Sequence, residues 1–148
     1  MMHRMETIWV LETTLDDLSP QIVGYVLERA LALGALDAYA AAVQMKKQRP
    51  GVLLTILSRA EEREVLLDLL LQETTTLGVR VTSCERAVLD REIVRVPTPY
   101  GEIAVKVAGE KAKPEYEDCR AAARRHRVPL QKVLGAAQRA ADEFVMRG

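Results

Sequence analysis

Aromatic residues are scarce in this sequence: one Trp, one Phe and four Tyr among 148 positions. An RNA-binding sheet stacks bases on aromatics of its central strands, and the candidate strands METIWVL and GVLLTIL lack such a set. An excess of one charge is missing too. Lys plus Arg number 21 and Asp plus Glu number 21, without the basic surplus that marks a general nucleic-acid binder. The two cysteines, Cys84 and Cys119, show no CxxC or Cys–His spacing, so neither a disulfide framework nor a zinc motif is implied. His3 and His126 offer no basis for a Ser-His-Asp set. No glycine-rich phosphate loop occurs. No apolar run approaches the roughly 18 residues that span a bilayer, and the opening MMHRM lacks the apolar core of a signal peptide. A cytoplasmic protein with no membrane and no nucleic-acid partner is expected.

What is present suits one packed domain. A chain of 148 residues buries about 70% of its unfolded surface. Met5–Leu11 reads as a strand. Ser19 and Pro20 then start a helix, with Ile22, Val23, Val26, Leu27, Ala30 and Leu31 on one face and Gly34 as its stop. Leu36–Val43 and Val52–Leu57 read as strands around the turn MKKQRPG. Ser58 and Glu61 match a capping box before a helix with Val65, Leu66, Leu69 and Leu70 on its apolar face. Another strand begins at Val79. This order, βαββαβ, is that of ferredoxin-like folds. The last strand is expected to run on irregularly to Val96, turn at PTPYG, and return through Ile103, Val105 and Val107 as a projecting hairpin. Pro114 is expected to open a helix that Val128-Pro129 ends. The final helix would bury Leu130, Val133, Leu134, Ala137, Ala141 and Phe144. The fold class is thus α+β: a ferredoxin-like core over about 6–90, a hairpin extension over 91–108 and a C-terminal helical pair over 113–146, all in one compact unit, 1–148.

Four polar segments could carry chemistry. Glu12, Asp16 and Asp17, read as one loop, could converge on magnesium or manganese, or Asp16 and Asp17 could simply favour the next helix start. Lys46, Lys47 and Arg49 make an anion site on one tight turn, or a solvated hairpin tip. Thr74, Thr75 and Thr76 offer three hydroxyls at a helix end, or a plain helix stop. Lys111 and Lys113 precede an expected helix start, and Tyr116 could stack on a base or ring; a plain helix cap is the alternative. From residues alone the chain is an α+β domain with polar loops suited to a metal-bound phosphate ligand.

Five segments in order, ETTLDDLSP, VGYVLERALALGALDAY, MKKQRPG, ETTTLGVR and YGEIAVKVAGEKAKPEYEDC, resemble the C-terminal domain of the nickel insertion proteins of the nickel-pincer nucleotide pathway (LarC). The resemblance runs from about Glu12 to Phe144. It implies an enzyme of the nickel insertase or cyclometallase type, in the lyase or chelatase class, that depends on CTP and Mn2+ or Mg2+. Such an enzyme inserts nickel into pyridinium-3,5-bisthiocarboxylic acid mononucleotide to make the cofactor of lactate racemase, with cytidylyl activation as a proposed step. By position it implies nucleotide contacts from Lys46, Lys47, Arg49, Thr74, Thr75, Thr76, Lys111, Lys113 and Tyr116, and metal contacts from Asp16, Asp17 and Glu12. Nickel is expected to be handled by an N-terminal region that this sequence does not contain. That region and a homo-oligomer, a trimer or hexamer, are the expected protein partners. The competing expectation is a non-catalytic ligand-sensing or assembly module of the same fold.

Overall fold

The computed structural model describes residues 2–148. It divides into two compact units rather than the one expected: Met5–Arg86, and Ala87–Gly148 together with the residues up to Arg4. The strand expected to run on to Val96 stops at Leu89 and resumes at Glu92, interrupted by exposed Asp90 and Arg91, and the two halves enter different sheets. Each unit then gathers its own buried clusters.

The first unit is built from β1 (His3–Leu15), α1 (Pro20–Ala32), β2 (Asp37–Met45), β3 (Arg49–Ser58), α2 (Arg63–Glu73) and β4 (Arg80–Leu89), except the ends of β1 before Met5 and of β4 after Arg86, which count with the second unit. Its sheet order is β2-β3-β1-β4, and β3 runs antiparallel to both β1 and β2. This is the ferredoxin-like arrangement expected. Leu11 and Leu15 of β1, Leu54 and Ile56 of β3, Val26 and Ala30 of α1, and Leu66, Leu69 and Leu70 of α2 form the core. One sheet face thereby buries both helix stripes.

Local chemistry sets the boundaries. The Ser19 hydroxyl accepts from the Gln21 amide at 3.2 Å with Pro20 in the first turn. At the other end Gly34 takes a left-handed φ of +97°, and the amides of Leu33, Gly34 and Ala35 return to carbonyls of the last turn, a glycine stop. The expected capping box is absent. Ser58 is the buried last residue of β3 and its hydroxyl donates to the Arg59 carbonyl at 2.6 Å, while α2 starts only at Arg63. Leu31 and Val65 lie at the edges of their apolar stripes and are exposed, contrary to expectation.

The second unit contains β5 (Glu92–Thr98), β6 (Gly101–Ala108), β7 (Lys111–Pro114), α3 (Tyr116–His126) and α4 (Leu130–Arg147). The expected hairpin is β5–β6, closed by Gly101 at φ +100°. β7 was not expected, and it turns the hairpin into a three-stranded sheet with β6 at its centre. Ile103, Ala104 and Val105 of β6 are all buried, because a central strand needs cover on both sides. Pro114 therefore ends a strand instead of opening a helix. α3 and α4 pack through Cys119, Ala122, Ala123, Val133 and Ala137. Phe144, expected on the buried side of α4, is 40% exposed. No helix among the described residues is long and apolar enough to cross a membrane.

Candidate functional site

The polar segments of the first unit meet at one end of its sheet. β1 is longer than expected because Thr13 and Thr14 are β-branched and fit a pleated strand; Leu11, Thr13 and Leu15 alternate as buried residues. Glu12 is therefore a strand residue and only Asp16 and Asp17 lie in the loop. Four strand steps cover roughly 13 Å, so Glu12 and the two aspartates take separate partners. Glu12 accepts from Arg80 Nε at 2.9 Å. Asp16 Oδ2 accepts from Arg49 Nη1 at 3.3 Å. Asp17 Oδ1 accepts from the Thr75 hydroxyl at 2.6 Å. The three carboxylates do not form a common cage: among the described residues no group of three or more His, Cys, Asp or Glu is placed to hold a metal.

The three threonines have unequal roles. Thr74 Oγ1 donates to the Leu70 carbonyl at 2.6 Å and accepts from the Thr76 amide at 3.2 Å, so it finishes α2. Thr76 Oγ1 meets Thr13 Oγ1 at 2.6 Å and the Gly78 carbonyl at 2.8 Å. Thr13 is only 2% exposed, and its bond clamps the 74–78 turn against β1. Thr75 alone presents an exposed hydroxyl beside a loop carboxylate. Thr13 and Arg80 were not singled out in the sequence. Their signals were the continuing alternation of β1 and the position of Arg80 directly after ETTTLGV.

Lys46, Lys47 and Arg49 occupy the tip joining β2 to β3, where Met45 pairs with Arg49. Lys47 and Gln48 both have left-handed φ, 60° and 61°. Lys46 and Lys47 are exposed, and among the described residues neither has a carboxylate partner. Gly51 admits the close packing behind this tip: a Cβ there would lie 2.6 Å from the Leu15 carbonyl oxygen and strike the Met45 sulfur. The loop after β1, the β2–β3 tip and the turn after α2 are thus joined through Asp16, Asp17, Arg49 and Thr75, and the tip also carries exposed Lys46 and Lys47.

Lys111, Lys113 and Tyr116 belong to the second unit, and the joined loops are built without them. Lys111 and Lys113 are exposed positions of β7, not residues before a helix start. Tyr116 begins α3 and is 54% exposed.

The chain matches the nickel insertion protein family over residues 2–134. It is 48% identical over 146 residues to the pyridinium-3,5-bisthiocarboxylic acid mononucleotide nickel insertion protein of Acetivibrio thermocellus, covering 96% of this chain and 36% of that protein. It is also 48% identical over 137 residues to a putative nickel insertion protein of Myxococcus xanthus, covering 89% of this chain and 35% of the relative. The chain therefore spans about a third of the length of these relatives. Among solved structures it resembles the apo C-terminal domain of a cyclometallase involved in synthesis of the NPN cofactor of lactate racemase. That match has a TM-score of 0.87 and 38% identity, over 94% of this chain and 99% of that one. A protein from Methanopyrus kandleri shares the fold, with a TM-score of 0.64 at 20% identity over 92% of this chain and 89% of its own. By the extent of the family match and the 38% identity to a solved domain that it covers almost completely, this chain belongs to the nickel insertion protein family.

Proposed function

We propose that the chain supplies the CTP- and divalent-cation-binding part of a nickel insertion enzyme, and that the whole enzyme inserts nickel into a pyridinium dithiocarboxylate mononucleotide. The observation carrying this reading is the joining of three separate loop motifs through Asp16–Arg49 and Asp17–Thr75 at 3.3 and 2.6 Å. Asp16 and Asp17 would hold Mg2+ or Mn2+. Two carboxylates fit a cation that takes the rest of its oxygen shell from phosphate and water. When bound, the cation supplies charge neutralisation on phosphate oxygens.

Arg49, Lys46 and Lys47 would bind the β- and γ-phosphates, Arg49 as a planar fork and the lysines as point charges. Thr75 would donate to a phosphate or ribose oxygen, while Thr74 and Thr76 hold the turn that presents it. In cytidylyl activation an acceptor atom of the precursor bonds to the α-phosphorus. The bond to the β-phosphate oxygen breaks, and pyrophosphate leaves with that electron pair. The three cations stabilise the leaving charge by position and electrostatics. Nickel is the cargo of this reaction, and its handling is proposed for the N-terminal region of the longer enzyme.

Calorimetric titration with CTP, and with ATP, GTP and UTP as controls, each with Mn2+ or EDTA, tests the reading. Metal-dependent, CTP-selective binding that falls at least 100-fold in Asp17→Asn is expected. Binding of no nucleotide would overturn it and leave a non-catalytic assembly module of the same fold.

A further inference from the structure

The second unit carries a hollow that the nucleotide reading leaves unused. Tyr116, Arg120, Ala123 and Arg124 line one side of it, at the three- and four-residue steps that share a helix face. Val128 and Leu130, between α3 and the first turn of α4, close the other side of a space of about 350 Å3. That volume lies within the range of small-molecule sites, about 300–1,000 Å3. The floor is apolar: Ala123 is buried, and Val128 and Leu130 pack against the Ile103 cluster. The rim is aromatic and cationic.

The cations on that rim are available. Among the described residues no carboxylate pairs with Arg124, and Arg120 meets only the outward-facing Glu117 at 3.3 Å. Two guanidiniums one helical turn apart repel each other, so an anion between them relieves a standing cost. The other sizeable hollow of this unit, beside Val96 and Phe144, is different. Its Arg95 is engaged by Glu102 and Asp118 at 3.5 and 3.6 Å, and its Arg147 faces Glu143 at 3.9 Å.

We propose that the Tyr116 hollow binds the nickel-accepting substrate, a mononucleotide whose base is a carboxylated pyridinium ring. The identity of that ligand rests on the family reading above; the site does not depend on CTP binding. Tyr116 offers a ring face for stacking with a cationic aromatic ring. Arg120 and Arg124 offer bidentate contacts to the ring's carboxyl-type groups and to the 5′-phosphate. The floor of Ala123, Val128 and Leu130 shields the ring edge from water. Tyr116 thereby passes from the CTP contacts to the second substrate.

The probe is nicotinic acid mononucleotide, which carries a pyridinium ring, one carboxylate and a 5′-phosphate. Titrated into the full chain, it is expected to bind without added metal and at least tenfold more weakly to Arg124→Gln and Tyr116→Ala. Tyr116→Phe should keep most of the affinity, and nicotinamide mononucleotide, which lacks the carboxylate, should bind at least threefold more weakly. Circular dichroism confirms that these exposed-site variants fold. No saturable binding, binding indifferent to both variants, or equal competition by ribose 5-phosphate would each overturn the proposal. CTP titrations on the same samples separate the two readings. CTP binding without probe binding removes this inference alone. Probe binding without CTP binding removes the nucleotide reading and leaves the hollow. Mutual competition between CTP and the probe makes Tyr116 part of the CTP site and also sinks the proposal.

Discussion

The two units use their polar side chains differently. In Met5–Arg86 the side-chain bonds join residues far apart in sequence: Asp16 to Arg49, Asp17 to Thr75, Thr13 to Thr76 and Glu12 to Arg80 span 33 to 68 positions. In the second unit most charged pairs are local, such as Arg120–Glu117 three apart and Arg147–Glu143 four apart, or cross one hairpin, as Arg95–Glu102 does. Local exposed pairs contribute little to stability. Long-range ones act after the sheet has formed, and they fix loops that the backbone alone would leave free. The first unit therefore uses its fold to arrange polar groups, whereas the second uses small residues to pack two helices on a short sheet.

Substitutions sharpen this contrast. The largest effect is expected in the first core: Leu54→Ala, at a fully buried position, should cost about 2–5 kcal/mol. The single Trp, Trp9, lies in that unit beneath Arg63 at 4.3 Å, so a fluorescence-detected denaturant midpoint reads the loss. Gly51→Ala should cost about 1–3 kcal/mol, because the added carbon meets fixed backbone at the Leu15 carbonyl. Thr13→Val keeps shape but removes the clamp on the 74–78 turn. About 1 kcal/mol of stability should go, with a several-fold weaker CTP affinity by calorimetry; unchanged affinity would detach the turn from the site. Glu117→Gln in the second unit should change the midpoint by less than about 0.5 kcal/mol.

The two cysteines offer a further contrast. Burial pushes the Cys119 thiol up, and the neighbouring Asp118 carboxylate adds to the rise. A folded pKa above the unfolded one contributes stability that is complete below the unfolded value, about 8.5. It is lost as pH rises through the folded value. Above about pH 8.5 the protein should therefore lose stability relative to Cys119→Ala, as pH-dependent melting curves would read. Thiol labelling of the native protein should modify exposed Cys84 and spare Cys119.

Much of the first unit was legible because its helices and inner strands are written in apolar periods. VLLTIL could be little else than a buried strand, and Ser19-Pro20 and Gly34 bracket α1 by capping chemistry. The extension of β1 was hidden because Thr13 is polar by class yet behaves as a β-branched strand residue. β7 was hidden because KAKP offers one small apolar residue between two lysines, and only pairing with β6 makes it a strand. Within the site, Asp16, Asp17, Arg49 and Thr75 were visible as motif residues. The division of labour among the threonines was not, since Thr74 and Thr76 are committed to local backbone partners that no spacing rule reveals. The separation of Lys111, Lys113 and Tyr116 into the second unit was equally hidden, because the division falls between Arg86 and Ala87, inside β4, where the sequence shows no break.

The tip between β2 and β3 has a consequence for how this protein can be improved. Two successive residues there, Lys47 and Gln48, hold a backbone shape that L side chains resist and glycine accepts. A sequence optimised only for folding would set Asn or Gly at such positions. Keeping a lysine there places a long cationic arm at the loop mouth at the expense of thermal resistance. An engineer seeking a hardier domain would find the gain at this tip, and would give up the lysine arm to obtain it.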